Sequence, residues 1–238
     1  MSSQSNDIPE GFKMTELGLL PEDWAVTSFG ELSKEITIKN GFPEGGHNLE
    51  GLGVPHLRPF NITNDGGIDL TQIKYVPRPM GGSPYWVHKA DIIFNNTNSE
   101  ELVGKTAYFS LDGDFVLSNH MTLLRVNPQG HLDGRWLAYF MRYLYWTGVM
   151  HAASRRYVNQ AAVTLARLYS IKLPLPPLPE QKAIAEVLST IQRAIETQDK
   201  IIAAARELKK SLMRHLFTYG PVSVAEAEKV SLKETEIG

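Results

Sequence analysis

Hydrophobic positions in this 238-residue chain follow two periods, and the change falls at a proline-rich segment, Pro174-Leu175-Pro176-Pro177-Leu178-Pro179. Beyond it, apolar or small residues recur at 184, 187, 188, 191, 194, 195, 201, 202, 205, 208, 212 and 216, nearly all at three- and four-residue steps. No Pro or Gly interrupts the run from Glu180 to Leu216. The spacing therefore predicts one long helix, a rod of roughly 55 Å at 1.5 Å per residue. With Ile184 at heptad position a, positions a and d include Ile184, Val187, Ile191, Gln198, Ile201, Leu208 and Leu212. Position e adds Leu188, Ile195, Ile202 and Leu216. A stripe this wide predicts a coiled-coil face buried against a second copy or a partner helix. Gln198 at an a position fits a device that fixes register. The alternative is a long helix lying along its own domain.

Before the prolines the apolar runs are short and punctuated by turns. Trp24 leads into a short strand and then a short helix from Ser28 to about Glu35. Asn40 to Gly53, with five glycines, reads as a long mobile loop. Val54–Phe60 and Ile73–Val76 read as strands either side of the turn Asn64-Asp65-Gly66-Gly67. Asp91–Phe94 is a buried-strand pattern that runs into the polar block Asn95-Asn96-Thr97-Asn98-Ser99. Thr106–Ser110 and Phe115–Leu117 suggest a hairpin around Asp112-Gly113-Asp114, and Met121–Val126 a further strand. Asp133 caps an aromatic helix, and Ile171–Leu175 closes the sheet. Many short strands with few helices predict an α+β fold: a mixed β-sheet domain followed by one long, coiled-coil-forming α-helix.

Composition narrows the compartment. No apolar stretch approaches the ~20 residues of a membrane span, the polar start lacks a signal peptide's apolar centre, and there are no cysteines. These features fit a cytoplasmic protein. A net charge of −2 argues against a nucleic-acid binder until its distribution is examined. From Gly134 to Pro179 there is no Asp or Glu, while Arg135, Arg142, Arg155, Arg156, Arg167 and Lys172 are all cationic and eight aromatics share the stretch. Cations neutralise phosphates and aromatic planes lie against bases. The competing explanation is a helix with its aromatics in the core, and for Trp136, Leu137, Phe140, Met141 and Leu144 the helical spacing favours it.

Amides, hydroxyls, imidazoles and guanidinium groups are the side chains that read base edges. Candidates of that kind are Asn95, Asn96, Thr97, Asn98, Lys105, Asn119, His120, Arg155, Arg156, Tyr157, Asn159 and Gln160, with His47 and Arg58 nearer the start. Singly, each is more readily a turn former or surface group; the collection favours a recognition surface. No catalytic centre, metal-ligand spacing or cofactor loop is legible. Gly51-Leu52-Gly53 is not continued as a dinucleotide fingerprint, and Glu180-Gln181-Lys182 suits a helix start, where the dipole welcomes the carboxylate. No cofactor is implied.

The two ends of the chain repeat one another. Phe12-Lys13-Met14-Thr15-Glu16-Leu17-Gly18 returns as Leu232-Lys233-Glu234-Thr235-Glu236-Ile237-Gly238, as if a second unit were beginning. The expected organisation is a disordered start (1–11), a body (12–178), the long helix (179–219) and a tail (220–238).

Three blocks carry a family resemblance: Gly18-Leu19-Leu20-Pro21-Glu22-Asp23-Trp24, Asp91 to Asn98, and Leu175-Pro176-Pro177-Leu178-Pro179-Glu180-Gln181-Lys182-Ala183-Ile184-Ala185. Together they make the chain resemble one half of a type I restriction–modification specificity subunit. That resemblance implies a body that is a target-recognition domain for double-stranded DNA, and a helix that pairs antiparallel with another and sets the distance between two half-sites. It further implies a non-catalytic protein that works with modification (methyltransferase) and restriction subunits. Members usually carry two recognition domains and two such helices; this sequence has one of each, so a homodimer would rebuild the full arrangement. The rival classes are a coiled-coil scaffold without readout and, less in keeping with the residues, a nucleic-acid-cleaving enzyme.

Overall fold

A computed structural model of the chain describes residues 8–81 and 83–231, the side chain of Glu228 aside. The second copy of the terminal repeat, at 232–238, and most of the expected disordered start lie outside the described residues.

A hairpin opens the chain, β1 (Phe12–Thr15) and β2 (Gly18–Pro21), with Met14 opposite Leu19. Thr15 Oγ1 closes its turn by donating to the Gly18 carbonyl. Next come β3 (Ala25–Ser28), a 3-10 turn at Glu31–Lys34, β4 (Ile36–Asn40), β5 (Val54–Leu57), a second 3-10 turn at Pro59–Asn61, and β6 (Lys74–Val76). The middle supplies β7 (Trp86–Val87), β8 (Ile92–Asn95), β9 (Thr97–Asn98), β10 (Thr106–Tyr108), β11 (Phe115–Leu117) and β12 (Met121–Val126). Then follow α1 (Gly134–Trp146), α2 (Val149–Ala153), β13 (Arg155–Arg156), β14 (Ala161–Ala162), α3 (Leu165–Ser170), β15 (Lys172–Leu175) and α4 (Leu178–Tyr219). The α+β class expected from the sequence is what forms.

Two four-stranded sheets make the body. One is antiparallel in the order β10-β8-β12-β4; the other, β6-β5-β11-β7, contains the parallel pair β5–β11. The unbroken apolar run of β8 has a direct cause. Successive residues of a strand face opposite ways: Ile92 and Phe94 join the core beneath α1 with Leu137 and Met141, while Ile93 joins a core shared with Leu57, Val87 and Phe115 of the second sheet. Asp133 accepts from the Trp136 amide at 2.9 Å and starts α1 as expected. At the mouth of β8 the buried Asp91 carboxylate takes two 2.7 Å bonds from Arg125 of β12. Removing the guanidinium would leave a buried charge unpaired, a loss of about 3–5 kcal/mol.

Several sequence expectations change. The segments 106–110 and 115–117 do not form a hairpin: β10 pairs with β8, and β11 crosses to the other sheet between β5 and β7. Phe109 and Phe115 face each other edge to ring at 5.3 Å inside the core, so burial of both outweighs local pairing. β15 does not close the main sheet but pairs with β3 alone. The helix expected over 28–35 is one 3-10 turn. The loop 40–53 is stitched down by the reciprocal amide bonds of Asn48 and Tyr75, at 2.9 and 3.0 Å.

The first two turns of α4 belong to the body, whose compact unit extends to Glu186. Gln181 is buried there; its amide donates to the carbonyls of His131 and Pro176 and accepts from the Asp133 N–H. Glu180 accepts from the Trp24 indole at 2.8 Å, and Ile184 and Ala185 pack on the α1 core. The proline-glutamate-glutamine motif is thus an anchor for the helix. In the second unit, from Val187, α4 leaves Val187, Leu188, Ile191, Ile195, Ile201, Ile202, Leu208, Leu212 and Leu216 exposed, and Gln198 among them. Its end is fastened by the His215 imidazole against the Val222 carbonyl, 2.7 Å away. Among the described residues no helix is long and apolar enough to cross a membrane.

Candidate nucleic-acid interface

The polar block after β8 and the basic segment after α2 lie about sixty residues apart in sequence and side by side in the fold. β9 (Thr97–Asn98) pairs with β14, and β14 pairs with β13, giving a three-stranded sheet in the order β13-β14-β9. Its register sets Asn98 opposite Ala161 and Arg156 opposite Ala161 from the other side. Small Ala161 and Ala162 at the centre let the flanking strands close while their own side chains contribute only packing. The 2.7 Å bond from the Tyr157 amide to the Gln160 carbonyl closes the hairpin, leaving Val158 and Asn159 at its tip. Val158 is 98% exposed, and Arg155 to Gln160 are all exposed.

The geometry of the hairpin is held from below. Arg155 lies over the Tyr157 ring at 5.6 Å, stiffening both. Arg156 and His151 share the Glu100 carboxylate, so one acid links the hairpin to α2. Beside β9, Asn96 donates to Thr122 Oγ1 at 2.8 Å and Thr97 Oγ1 donates to Asn96 Oδ1 at 2.8 Å. The Thr97 amide bonds the His120 carbonyl at 3.2 Å. These bonds bring the turn Ser118-Asn119-His120 against the same sheet.

That turn is also where strands of both large sheets end. Ser118 N–H donates to the carbonyl of Leu57, the last residue of β5, and Asn95 at the end of β8 donates from Nδ2 to the Pro59 carbonyl. Gly41, just past β4, presses against it: a Cβ there would stand 2.0 Å from the Ser118 carbonyl oxygen. Only glycine permits that approach. Beside Asn119 opens a hollow of about 570 Å³ lined by Lys39, Asn40, Pro43 and Tyr85.

Of the sequence candidates, the fold therefore brings Asn96, Thr97, Asn98, Asn119, His120, Arg155, Arg156, Tyr157, Asn159 and Gln160 into one neighbourhood. Thr97 and Arg155 lie on one face of the small sheet and Asn98 and Arg156 on the other, beside the buried Ala161. Asn95 and Lys105 are placed differently. Both are buried, Asn95 fully, its amide spent on Pro59; burial also holds the Lys105 ammonium below its ordinary pKa, with Asp65 opposing the shift. Their polarity serves the frame beneath the surface. His47 and Arg58 form a separate group flanking β5, with Nδ1 of His47 3.3 Å from the guanidinium. Arg142 of the basic stretch is nine-tenths buried between the rings of Tyr139 and Trp146, at 5.3 and 5.1 Å, so it braces α1. Sequence reasoning missed Glu100, Lys39, Tyr85 and Lys74, because their placement depends on strand pairing that no local pattern reveals. Among the described residues no group of three or more His, Asp or Glu side chains is placed to hold a metal ion.

Comparison with known proteins gives a consistent result. The profile of the family described as "Type I restriction modification DNA specificity domain" matches residues 21–206. The "Putative type I restriction enzyme MjaX specificity subunit" of Methanocaldococcus jannaschii is 34% identical over 232 residues, covering 96% of this chain and 52% of the relative. The crystal structure of the HsdS subunit from Thermoanaerobacter tengcongensis superposes with a TM-score of 0.52 at 22% identity, over 89% of this chain and 48% of that one. The type I restriction–modification S subunit structure from M. genitalium gives a TM-score of 0.56 at 18% identity, over 82% and 46%. At these identities the two structures speak to the fold. The chain spans about half the length of each of these relatives.

Proposed function

Because this chain belongs to the type I restriction–modification DNA specificity family, we propose that its body, residues 12–178, reads one half of a bipartite double-stranded DNA target. The observation that carries this reading is the β13-β14-β9 sheet, which joins Thr97 and Asn98 to the Arg155–Gln160 hairpin. A two-stranded ribbon fits the major groove, where arginine pairs with guanine and Asn or Gln with adenine. Asn98, Asn119, His120, Arg155, Arg156, Asn159 and Gln160 supply those groups, with Tyr157 and Val158 making apolar contact.

The second part of the proposal concerns distance. The exposed stripe on α4 pairs antiparallel with the same stripe of a second copy, fixing the spacing between two half-sites. Two identical readers related by a two-fold axis then read an inverted repeat. Methylation and cleavage reside in separate modification and restriction subunits, and the chain itself is a non-catalytic specificity component of a cytoplasmic complex. Bare DNA affinity is expected to be modest, since those subunits supply many phosphate contacts.

Replacing Arg155, Arg156, Asn159 and Gln160 together by alanine tests the readout. Each lost bidentate base contact is worth about 1–3 kcal/mol of discrimination. With its modification subunit, the variant is expected to lose sequence preference by at least a hundredfold while keeping the wild-type circular dichroism spectrum. Undiminished preference would favour the scaffold reading, in which the helix merely brings other readers together.

A further inference from the structure

Outside the hairpin, one group of cations is assembled by the fold rather than by sequence proximity. β5 and β6 pair so that His56 stands directly opposite Lys74, with Val116 of β11 on its other side. Opposed residues share one face of a sheet. Along that face the small apolar cluster of Val54, Val76 and Val116 gives way to His56 and Lys74. The Asn48–Tyr75 stitch holds the glycine loop down and sets the neighbouring His47 over Lys74, while Arg58 follows β5 directly.

The contacts among these groups are incomplete in a specific way. His47 Nε2 lies 2.9 Å from Lys74 Nζ, and Nδ1 lies 3.3 Å from both the Gly45 carbonyl and Arg58 Nη1. A neutral imidazole has one acceptor nitrogen. Placing the proton on Nδ1, for Gly45, lets Nε2 accept from Lys74 but points Arg58 at an N–H. The other tautomer leaves Lys74 facing one. Either way a cationic donor meets a donor. Among the described residues neither Arg58 nor Lys74 forms an ion pair with a carboxylate. Glu44, the acid within electrostatic reach of His56, gives its oxygen to the Gly46 amide. Beneath them His56 is 1% exposed, and neither of its ring nitrogens has a hydrogen-bond partner.

An oxyanion resolves this arrangement, because its oxygens accept from the Arg58 fork, the Lys74 ammonium and an imidazole N–H at once. We propose that His47, Arg58 and Lys74 form a seat for a backbone phosphate of the bound DNA, separate from the base-reading hairpin. The seat rests on the half-site reading. It divides the work: the hairpin distinguishes sequence, and the seat fixes the register of the duplex without reading it. Its position suits that role, since Arg58 follows Leu57, whose carbonyl holds the Ser118-Asn119-His120 turn. Of the three residues, Lys74 is invisible to motif analysis and is the sharpest probe.

The test uses the full chain and two probes. With a fluorescein-labelled duplex, Lys74→Gln and Arg58→Gln are each expected to reduce the slope of log K against log salt by about one. Affinity should fall several-fold, equally for every duplex sequence. With inorganic phosphate, the ring signals of His47 in ¹⁵N-histidine-labelled protein should shift saturably in the wild type and stay still in Lys74→Gln. DNA binding with unchanged slopes in both variants would overturn the seat and leave the half-site reading standing. A saturable His47 shift without any DNA binding, even with the modification subunit present, would overturn the DNA assignment of the seat together with the half-site reading.

Discussion

His56 shows how one side chain can carry an acid sensitivity for the whole body. Burial, with Arg58 as the next contributor, lowers its pKa from the ordinary 6.5 to about 4. As pH falls, the unfolded chain takes up this proton near 6.5 while the folded chain resists until about 4. The contribution is therefore fully present above pH 6.5 and is lost progressively between 6.5 and 4, at ~1.4 kcal/mol per pKa unit. His56→Leu is similar in volume and leaves no orphaned nitrogen, so it should unfold in urea at or above the wild-type midpoint at pH 7.5. Its midpoint should also fall by less than that of the wild type on going to pH 5. An equally steep decline in the variant would mean that other groups carry the acid sensitivity.

At the scale of elements, the question is why α4 is apolar where nothing in its own unit covers it. The first turns bury Gln181 and Ala185 on the body, and Ile184, though in heptad register, is spent there too. From Val187 onward the stripe is open: Leu208 is 69% exposed and Val187 61%. Large exposed aliphatics at coiled-coil spacing mark an interface. Light scattering should give a mass near twice 26.6 kDa, and Ile195→Asp with Ile202→Asp should return it to the single-chain value. A concentration-independent single-chain mass for the wild type would remove self-pairing.

The two longer helices, α1 and α4, and the buried strand β8 were legible because their signals are local, whereas the short α2 and α3 carry no such signal and the helix expected over 28–35 is one 3-10 turn. The Asp133 cap, the period of α4 and the doubly buried β8 each depend on neighbours within a few residues. The partnership of β11 was not, because Phe115 gains more by joining Phe109, Leu57 and Val87 in one core than by pairing across Asp112-Gly113-Asp114. The interface was half legible. Residue chemistry grouped Asn98 with Arg155, Arg156, Tyr157, Asn159 and Gln160 as one kind of side chain, but only the sheet through Ala161 and Ala162 shows that they are neighbours. The same chemistry also selected Asn95 and Lys105, which are polar for internal reasons. A residue's type does not reveal which way a strand turns it.

For the whole molecule, the proposal is of a reader on a spacer. The body presents the exposed β13–β14 hairpin, its frame closed by Gly41 against Ser118, and under that proposal paired copies of α4 set the distance between two readers. The most direct measurement is selection of bound duplexes from a random library by the chain together with its modification subunit, followed by sequencing. The expected result is an inverted repeat of a short motif, its two halves separated by one constant gap. Enrichment of a single unrepeated motif would contradict the symmetric pairing, and no enrichment at all would contradict the assignment of the hairpin surface as a reader of DNA sequence.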